Sequence, residues 1–139
     1  MVESMKILHI IAGAEQGGAE SCAVDTIRAL HDAGIEQTVI SRPHAAFRML
    51  VKDCAIDHHI LSFNPILKWA QKAKINAIIK SEKPDLVHCW LNRAASFTPH
   101  QKTVPVLGWF GGYYDLKYYK SCDFFMGVTK DIVHYISLS

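Results

Sequence analysis

A chain that repeatedly sets a short apolar run ahead of a turn and an amphipathic helix has few folds open to it. The pattern is clearest at the start. "MKILHIIA", Met5 to Ala12, is almost continuously apolar. It is too short to span a membrane and suits a strand buried on both faces. Behind it, Ala19, Cys22, Ala23, Ile27 and Leu30 recur at helical spacing, while Ser21, Asp25, Arg28 and Asp32 form the opposite, polar stripe. Gly34 supplies a helix stop. Strand, glycine turn and helix together are the first half of a βαβ unit.

The alternation continues to the end. Strands are predicted over 37–41, 57–63, 86–90, 104–110 and 123–128. Helices are predicted over 44–55 and 64–83, the second opened by Asn64 as N-cap and Pro65 at the first helical position. Shorter helical pieces are expected in "RAASFTPHQK" and "YDLKYYKS", and a last helix over 131–136 capped by Thr129. This pattern specifies an α/β domain of three layers, with a mainly parallel sheet of about six strands between helices. Such sheets bind ligands at the carboxyl ends of their strands. The segments just past those ends are Gly17-Gly18, Arg42 to His44, Trp90 to Arg93, and Gly111 to Tyr114.

Length and charge narrow the functional classes. At 139 residues the chain suits one domain, expected over 5–139 behind a disordered lead-in at 1–4. A net charge of +2 gives no footprint for nucleic acid. The N-terminus lacks a signal-peptide layout, which points to the cytoplasm. Cys22, Cys54, Cys89 and Cys122 are widely spaced and read as reduced thiols. The eight histidines form no metal-ligand pattern, so no metal is expected. Lys68, Trp69, Lys72 and Lys74 give one helix a basic side with an aromatic, which a solvated face or peripheral membrane contact would both explain.

The loop "AGAEQGGAES" separates the chemistries that use a glycine turn before a helix. A P-loop would need lysine after Gly18, and Ala19 stands there, followed by Glu20. A dinucleotide fingerprint would need G-x-G-x-x-G, and "GAEQGG" does not match. Arg42 at the end of the second strand keeps open an NADP-binding reductase, in which it would meet a 2′-phosphate. Otherwise Gly17 and Gly18 either permit tight packing or let a ligand approach the helix N-terminus, where free amides suit a phosphate or a sugar hydroxyl. A second glycine pair, Gly111-Gly112, adjoins Tyr113, Tyr114, Tyr118 and Tyr119, four of the five tyrosines. Rings with apolar faces and polar tips suit sugar rings, and they also suit the half-buried end of a sheet.

Taken together, "MKILHIIAGAEQGGAES", "KPDLVHCW" and "VPVLGWFGGYYDLKYYKSCDFFMGVTKDIVHYI" resemble the N-terminal domain of retaining glycosyltransferases of the GT-B fold, family four. The likeness is nearest to proteobacterial members of surface-polysaccharide and lipopolysaccharide assembly, and it covers most of 5–136. It implies a Rossmann-like domain on the acceptor side of a two-domain enzyme. Such an enzyme moves a sugar from a nucleotide-diphosphate sugar to a glycan or lipid-linked acceptor, without a cofactor. A lipid-linked acceptor would place it at the cytoplasmic membrane face. Two departures stand out. Phe110, Gly111 and Gly112 occupy the place where many members carry a histidine facing the donor sugar. The E-x7-E motif of the second, donor-binding domain is absent, so the chain alone is expected to be inactive. The substrate-binding residues expected on this basis are Gly17, Gly18, Glu20, Arg42, Trp90, Asn92, Arg93, Gly111, Gly112, Tyr113 and Tyr114. Trp90 and one of the tyrosine pair would stack on sugar rings. The alternative is a stand-alone flavodoxin-like binding or regulatory domain.

Overall fold

The computed structural model describes residues 5–13 and 17–139. The lead-in at 1–4 lies outside the described residues. Six strands alternate with five α-helices: β1 (Lys6–Ile11), α1 (Gly18–Asp32), β2 (Glu36–Ser41), α2 (Ala45–Asp53), β3 (Asp57–Ile60), α3 (Lys68–Glu82), β4 (Leu86–Trp90), α4 (Leu91–Phe97), β5 (Val106–Phe110), β6 (Phe124–Gly127) and α5 (Lys130–Leu138). The strands form one sheet in the order β3-β2-β1-β4-β5-β6. Every pairing is parallel. The chain therefore winds outward from β1 in one direction and then from β4 in the other. The crevice between those two strands is the topological switch point.

The apolar runs fill both faces of the sheet. Leu8, Ile10, Val87, Cys89, Val106 and Phe110 pack with Ile75 and Ile79 of α3, Ala94 and Phe97 of α4, and Ile132 of α5. The alternate residues Ile11, Val39, Trp90 and Trp109 pack with Ala23 and Ile27 of α1 and Phe47 and Leu50 of α2. Successive strand residues point to opposite faces, so a strand buried on both sides must be apolar throughout.

The expected element boundaries move by a few residues. The helix expected over 64–83 opens with a 3-10 turn, Pro65–Leu67, before α3 begins. Asn64 caps that turn, its Oδ1 accepting from the Ile66 amide at 3.0 Å. "YDLKYYKS" likewise forms a 3-10 turn, Leu116–Tyr119, rather than an α-helix. Thr129 caps α5, its Oγ1 accepting from the Ile132 amide at 3.1 Å. β4 passes into α4 with no loop. Leu91 makes that corner at φ 73°, a left-handed conformation that is costly for a residue with a branched side chain.

Candidate active site

A cleft of about 480 Å³ opens at the carboxyl edge of the sheet, on the α1 side. Its walls come from the start of α1, from Leu91 at the β4–α4 corner, and from Trp109, Gly111 and Tyr114 at and beyond the end of β5, with Val128 just past β6. Distant parts of the chain meet there because parallel strands all end on the same edge.

The α1 wall is backbone. Gly17 stands at the N-cap, and no side chain caps the helix. The first intrahelical bond runs from the Ser21 amide to the Gly17 carbonyl at 3.3 Å. The amides of the first turn thus lie at the positive end of the helix dipole, beside the cleft. Among the described residues, a Cβ built on Gly18 would meet no atom within 4 Å. Neither packing nor a left-handed φ requires glycine at that position within this domain. Glu20 folds back over the turn, and its carboxylate lies where a Cβ on Gly13 or Gly17 would have to go. An acid in the first turn is favoured by the dipole. It also gives the cleft an acceptor for hydroxyl hydrogens.

The opposite wall is aromatic and closely packed. A Cβ on Gly111 would lie 2.8 Å from Cζ3 of Trp109, so this glycine is needed by the domain's own packing. Gly112 packs on the Tyr114 ring, where a Cβ would stand at 3.4 Å. Tyr114 is half-buried, faces the cleft, and accepts at its carbonyl from the Tyr135 hydroxyl at 3.0 Å.

Residues 16–136 match the family described as Glycosyltransferase Family 4. The chain belongs to that family. It is 30% identical over 134 residues, 92% of its length, to the lipopolysaccharide core biosynthesis glycosyltransferase LpsD of Rhizobium meliloti (strain 1021), and spans 38% of that protein. Its fold matches 39% of a glycosyltransferase from Rickettsia africae ESF-5, at TM-score 0.72 and 21% identity over 97% of this chain. It also matches 32% of Anabaena Alr3699/HepE in complex with UDP, at TM-score 0.54 and 17% identity over 84% of this chain.

In this Family 4 domain the residues expected at the site divide sharply. Gly17, Gly18, Glu20, Gly111 and Tyr114 line the cleft. Trp90 does not, and its expected stacking role is corrected. It is 3% exposed, packed under α1 with its ring parallel to His88 at 4.2 Å. Its indole N–H donates to Nδ1 of His9 at 3.1 Å. Because Nδ1 accepts, the His9 proton sits on Nε2, which donates to Oε1 of Gln37 at 2.8 Å. Gln37 in turn donates to the Ile27 carbonyl of α1 at 2.9 Å. This relay binds β4, β1, β2 and α1 together, so Trp90 is a structural residue.

Arg42, Asn92, Arg93 and Tyr113 also lie outside the cleft lining. Arg42 is half-buried at the end of β2. The neighbour that reaches the first loop is His44, whose Nε2–H donates to the Gly13 carbonyl at 2.8 Å. Asn92 and Arg93 fall in the first turn of α4, beyond the corner at Leu91. Tyr113 turns to α5, with its hydroxyl donating to Asp131 and its ring edge-on to Tyr135 at 5.4 Å. The residues expected at the site did not include Ala19, Cys22, Leu91, Trp109 and Val128, which also line the cleft. Val128 follows the end of β6 and was open to the same strand-end rule. Leu91 fell within the strand-end segment Trp90 to Arg93 but was not chosen as a contact, and the structure sets it at the rim in a left-handed corner.

Proposed function

We propose that this Family 4 domain forms one wall of the active cleft of a longer glycosyltransferase, which moves a sugar from a nucleotide-diphosphate sugar to a glycan or lipid-linked acceptor. One observation carries the reading. At the switch point, the N-terminal amides of α1 open on a cleft through Gly18, a glycine the domain does not need for itself. A backbone without a Cβ lets a ligand come within hydrogen-bonding distance of those amides. Preorganised donors at that point would stabilise charge developing on a leaving diphosphate. HepE, a structural relative, holds UDP, which supports a nucleoside diphosphate as that leaving group.

Glu20 and Tyr114 suit the other substrate. A carboxylate accepts from sugar hydroxyls, and a half-buried ring offers a flat face to the C–H side of a pyranose. The chain spans 38% and 39% of the curated relatives it matches, and those relatives act in lipopolysaccharide core biosynthesis. By analogy the acceptor is a lipid-linked core saccharide, and the enzyme works in peripheral contact with the cytoplasmic membrane face. No further cofactor is proposed, since the donor is itself a substrate. No described helix is long and apolar enough to cross a membrane.

The test compares residues 1–139 with the longer protein against a panel of nucleotide sugars and lipid-linked acceptors. Transfer by the longer protein and none by the 139-residue chain is the expected result. Turnover by the chain alone would overturn the two-domain account, and inactivity of both across the panel would remove the transferase reading.

A further inference from the structure

The four cysteines divide between the two faces of the sheet. Cys54 belongs to the apolar cluster under α1 and α2, and Cys22 packs against that cluster. Cys89 belongs to the cluster under α3 and α4, and Cys122 packs against it. The sheet therefore separates Cys89 and Cys122 from the other two thiols. Cys89 is fully buried in β4, whereas Cys122, just before β6, is half-buried and open to small molecules.

Gly108 brings these two together. It stands beside Cys89 in the parallel pairing of β4 with β5, so a side chain on it would share the face of the Cys89 thiol. It has none, and the Cys122 sulfur takes the space. A Cβ built on Gly108 would lie 3.0 Å from Cys122 Sγ and 2.6 Å from Cδ1 of the Tyr119 ring. The Cys122 amide donates to the Tyr119 carbonyl at 3.0 Å, which fixes the turn that lays both residues over the glycine. The Cys122 sulfur thus occupies the side-chain position next to Cys89 in the sheet. The two side chains hydrogen-bond. That bond holds the Cys122 thiol below its ordinary pKa against the effect of burial, and the same bond, with burial, raises the Cys89 thiol. Cys122 is the more accessible thiol and the one whose thiolate is favoured, which is the character of an attacking sulfur.

We propose that Cys122 and Cys89 form a reversible oxidation site, in which a hydroperoxide oxidises Cys122 and Cys89 resolves it to a disulfide. The Cys122 thiolate attacks the peroxide and takes one oxygen. The O–O bond breaks, and the other oxygen leaves as water or an alcohol with the proton that the thiol gave up. The Cys89 sulfur then attacks the sulfenic acid on Cys122. The S–O bond breaks, an S–S bond forms, and the hydroxyl leaves as water with the Cys89 proton. Two thiols are oxidised and one peroxide is reduced, and two equivalents of a small thiol restore the pair. The bridge would tie β4, at the residue before Trp90, to the segment that leads from the aromatic cleft wall into β6. Its test uses no turnover, so it stands or fails apart from the transferase activity.

The probe is hydrogen peroxide in small excess over the reduced 139-residue chain. Two of the four thiols should be lost, with a mass fall of about 2 Da and full recovery in dithiothreitol. Trypsin separates the two cysteines, because fragment 81–93 holds Cys89 and fragment 121–130 holds Cys122, each with no second cysteine. These fragments should be recovered joined to one another. In Cys89→Ala the reaction should stop at the sulfenic acid of Cys122, which dimedone captures, whereas Cys122→Ser should leave Cys89 unoxidised. The fragment map of the unsubstituted chain needs neither variant, so it decides the matter even if one of them misfolds. Four thiols retained at a dose that oxidises free cysteine would overturn the proposal. So would a bridge through Cys22 or Cys54, or fragment 121–130 joined to a second copy of itself. Dimedone capture of Cys122 in the unsubstituted chain, with no bridge formed, would place Cys89 out of reach and overturn it as well.

Discussion

Past the end of β1 the chain opens, and at the end of β4 it closes on itself. At the start of α1 stands Gly18, where a Cβ would meet no atom of the described residues within 4 Å. At the end of β4, Trp90 lies level with Ile11 on one side and Trp109 on the other, and it is fully committed. It stacks on His88, donates to His9 and sits 4.9 Å from the Trp109 ring. Both positions border the same switch point. The difference lies in which way the last strand residue faces. Trp90 shares the face of His88 and His9 and points beneath α1, whereas the next residue, Leu91, is turned to the rim by its left-handed backbone. A strand end therefore marks where a site can be, while parity and the corner conformation decide which side chain reaches it.

The largest expected effect tests the closed side. Trp90→Ala removes an aromatic core side chain and leaves Nδ1 of His9 without its donor. It should destabilise the domain by about 3–5 kcal/mol, read by urea denaturation. A loss under about 1 kcal/mol, with a raised acceptor KM in the longer enzyme, would return Trp90 to the cleft.

Acid should attack the same cluster. Burial pushes the His9 imidazole down to about 4, against the opposing effect of its hydrogen bond to Gln37. Burial, then the His9 charge, pushes His88 down to about 3. Protonating His9 would also set a second N–H against the indole N–H of Trp90. Both folded pKa values lie below the ordinary 6.5, so between them and 6.5 the unfolded chain binds protons that the folded chain does not. Stability from this source is therefore complete above pH 6.5 and falls on acidification through the window down to about 4 for His9 and about 3 for His88. The slope should approach ~1.4 kcal/mol per pH unit for each imidazole. His88 Nε2 is buried with no hydrogen-bond partner among the described residues, so His88→Phe should flatten the acid limb without loosening the fold at neutral pH. An unchanged acid limb would show that His88 is not buried neutral beside Trp90.

On the open side the expected effect is on turnover rather than stability. In the longer enzyme, Gly18→Val should lower kcat/KM by at least about tenfold, equivalent to ~1.4 kcal/mol of transition-state stabilisation, because a branched side chain would occupy the ligand's approach to α1. Melting should shift little, since a Cβ at this position meets no atom of the described residues within 4 Å. A variant that melts far lower yet keeps normal activity would make Gly18 a packing glycine, like Gly111.

How much of this was legible follows from the same contrast. The alternation of apolar runs and helices specified the mainly parallel sheet of about six strands and the edge at which its strands end. The Asn64 and Thr129 caps were legible because capping is local chemistry between a side chain and an amide two or three residues on. Gly17, Gly18 and Glu20 were legible because the strand–turn–helix unit itself carries them to the rim. Trp90 was not, because an aromatic at the last strand position can cover the rim or fill the layer below. Counting alternation back from Cys89 puts Trp90 with His88 on the other face, but only the assembled sheet shows α1 lying over that face. The thiol pair was not legible, because Cys89 and Cys122 read as widely spaced and only the fold sets both beside Gly108.

Tyr113 supplies the smallest expected effect and the finest test of the open and closed sides. It stands between them: 59% exposed, next to the cleft-lining Tyr114, yet turned to α5. Its hydroxyl bond to Asp131 holds the phenol above its ordinary pKa, but the pair is exposed and water can replace either partner. Tyr113→Phe keeps the ring against Tyr135 and removes only that bond. Stability should stay within about 0.5 kcal/mol, as for most surface changes, and the acceptor KM of the longer enzyme should stay within twofold. A several-fold rise in that KM, with stability unchanged, would mean that the hydroxyl meets substrate. The cleft would then extend past Tyr114 along the loop toward α5, and the line between its open and closed walls would have to be redrawn at Asp131.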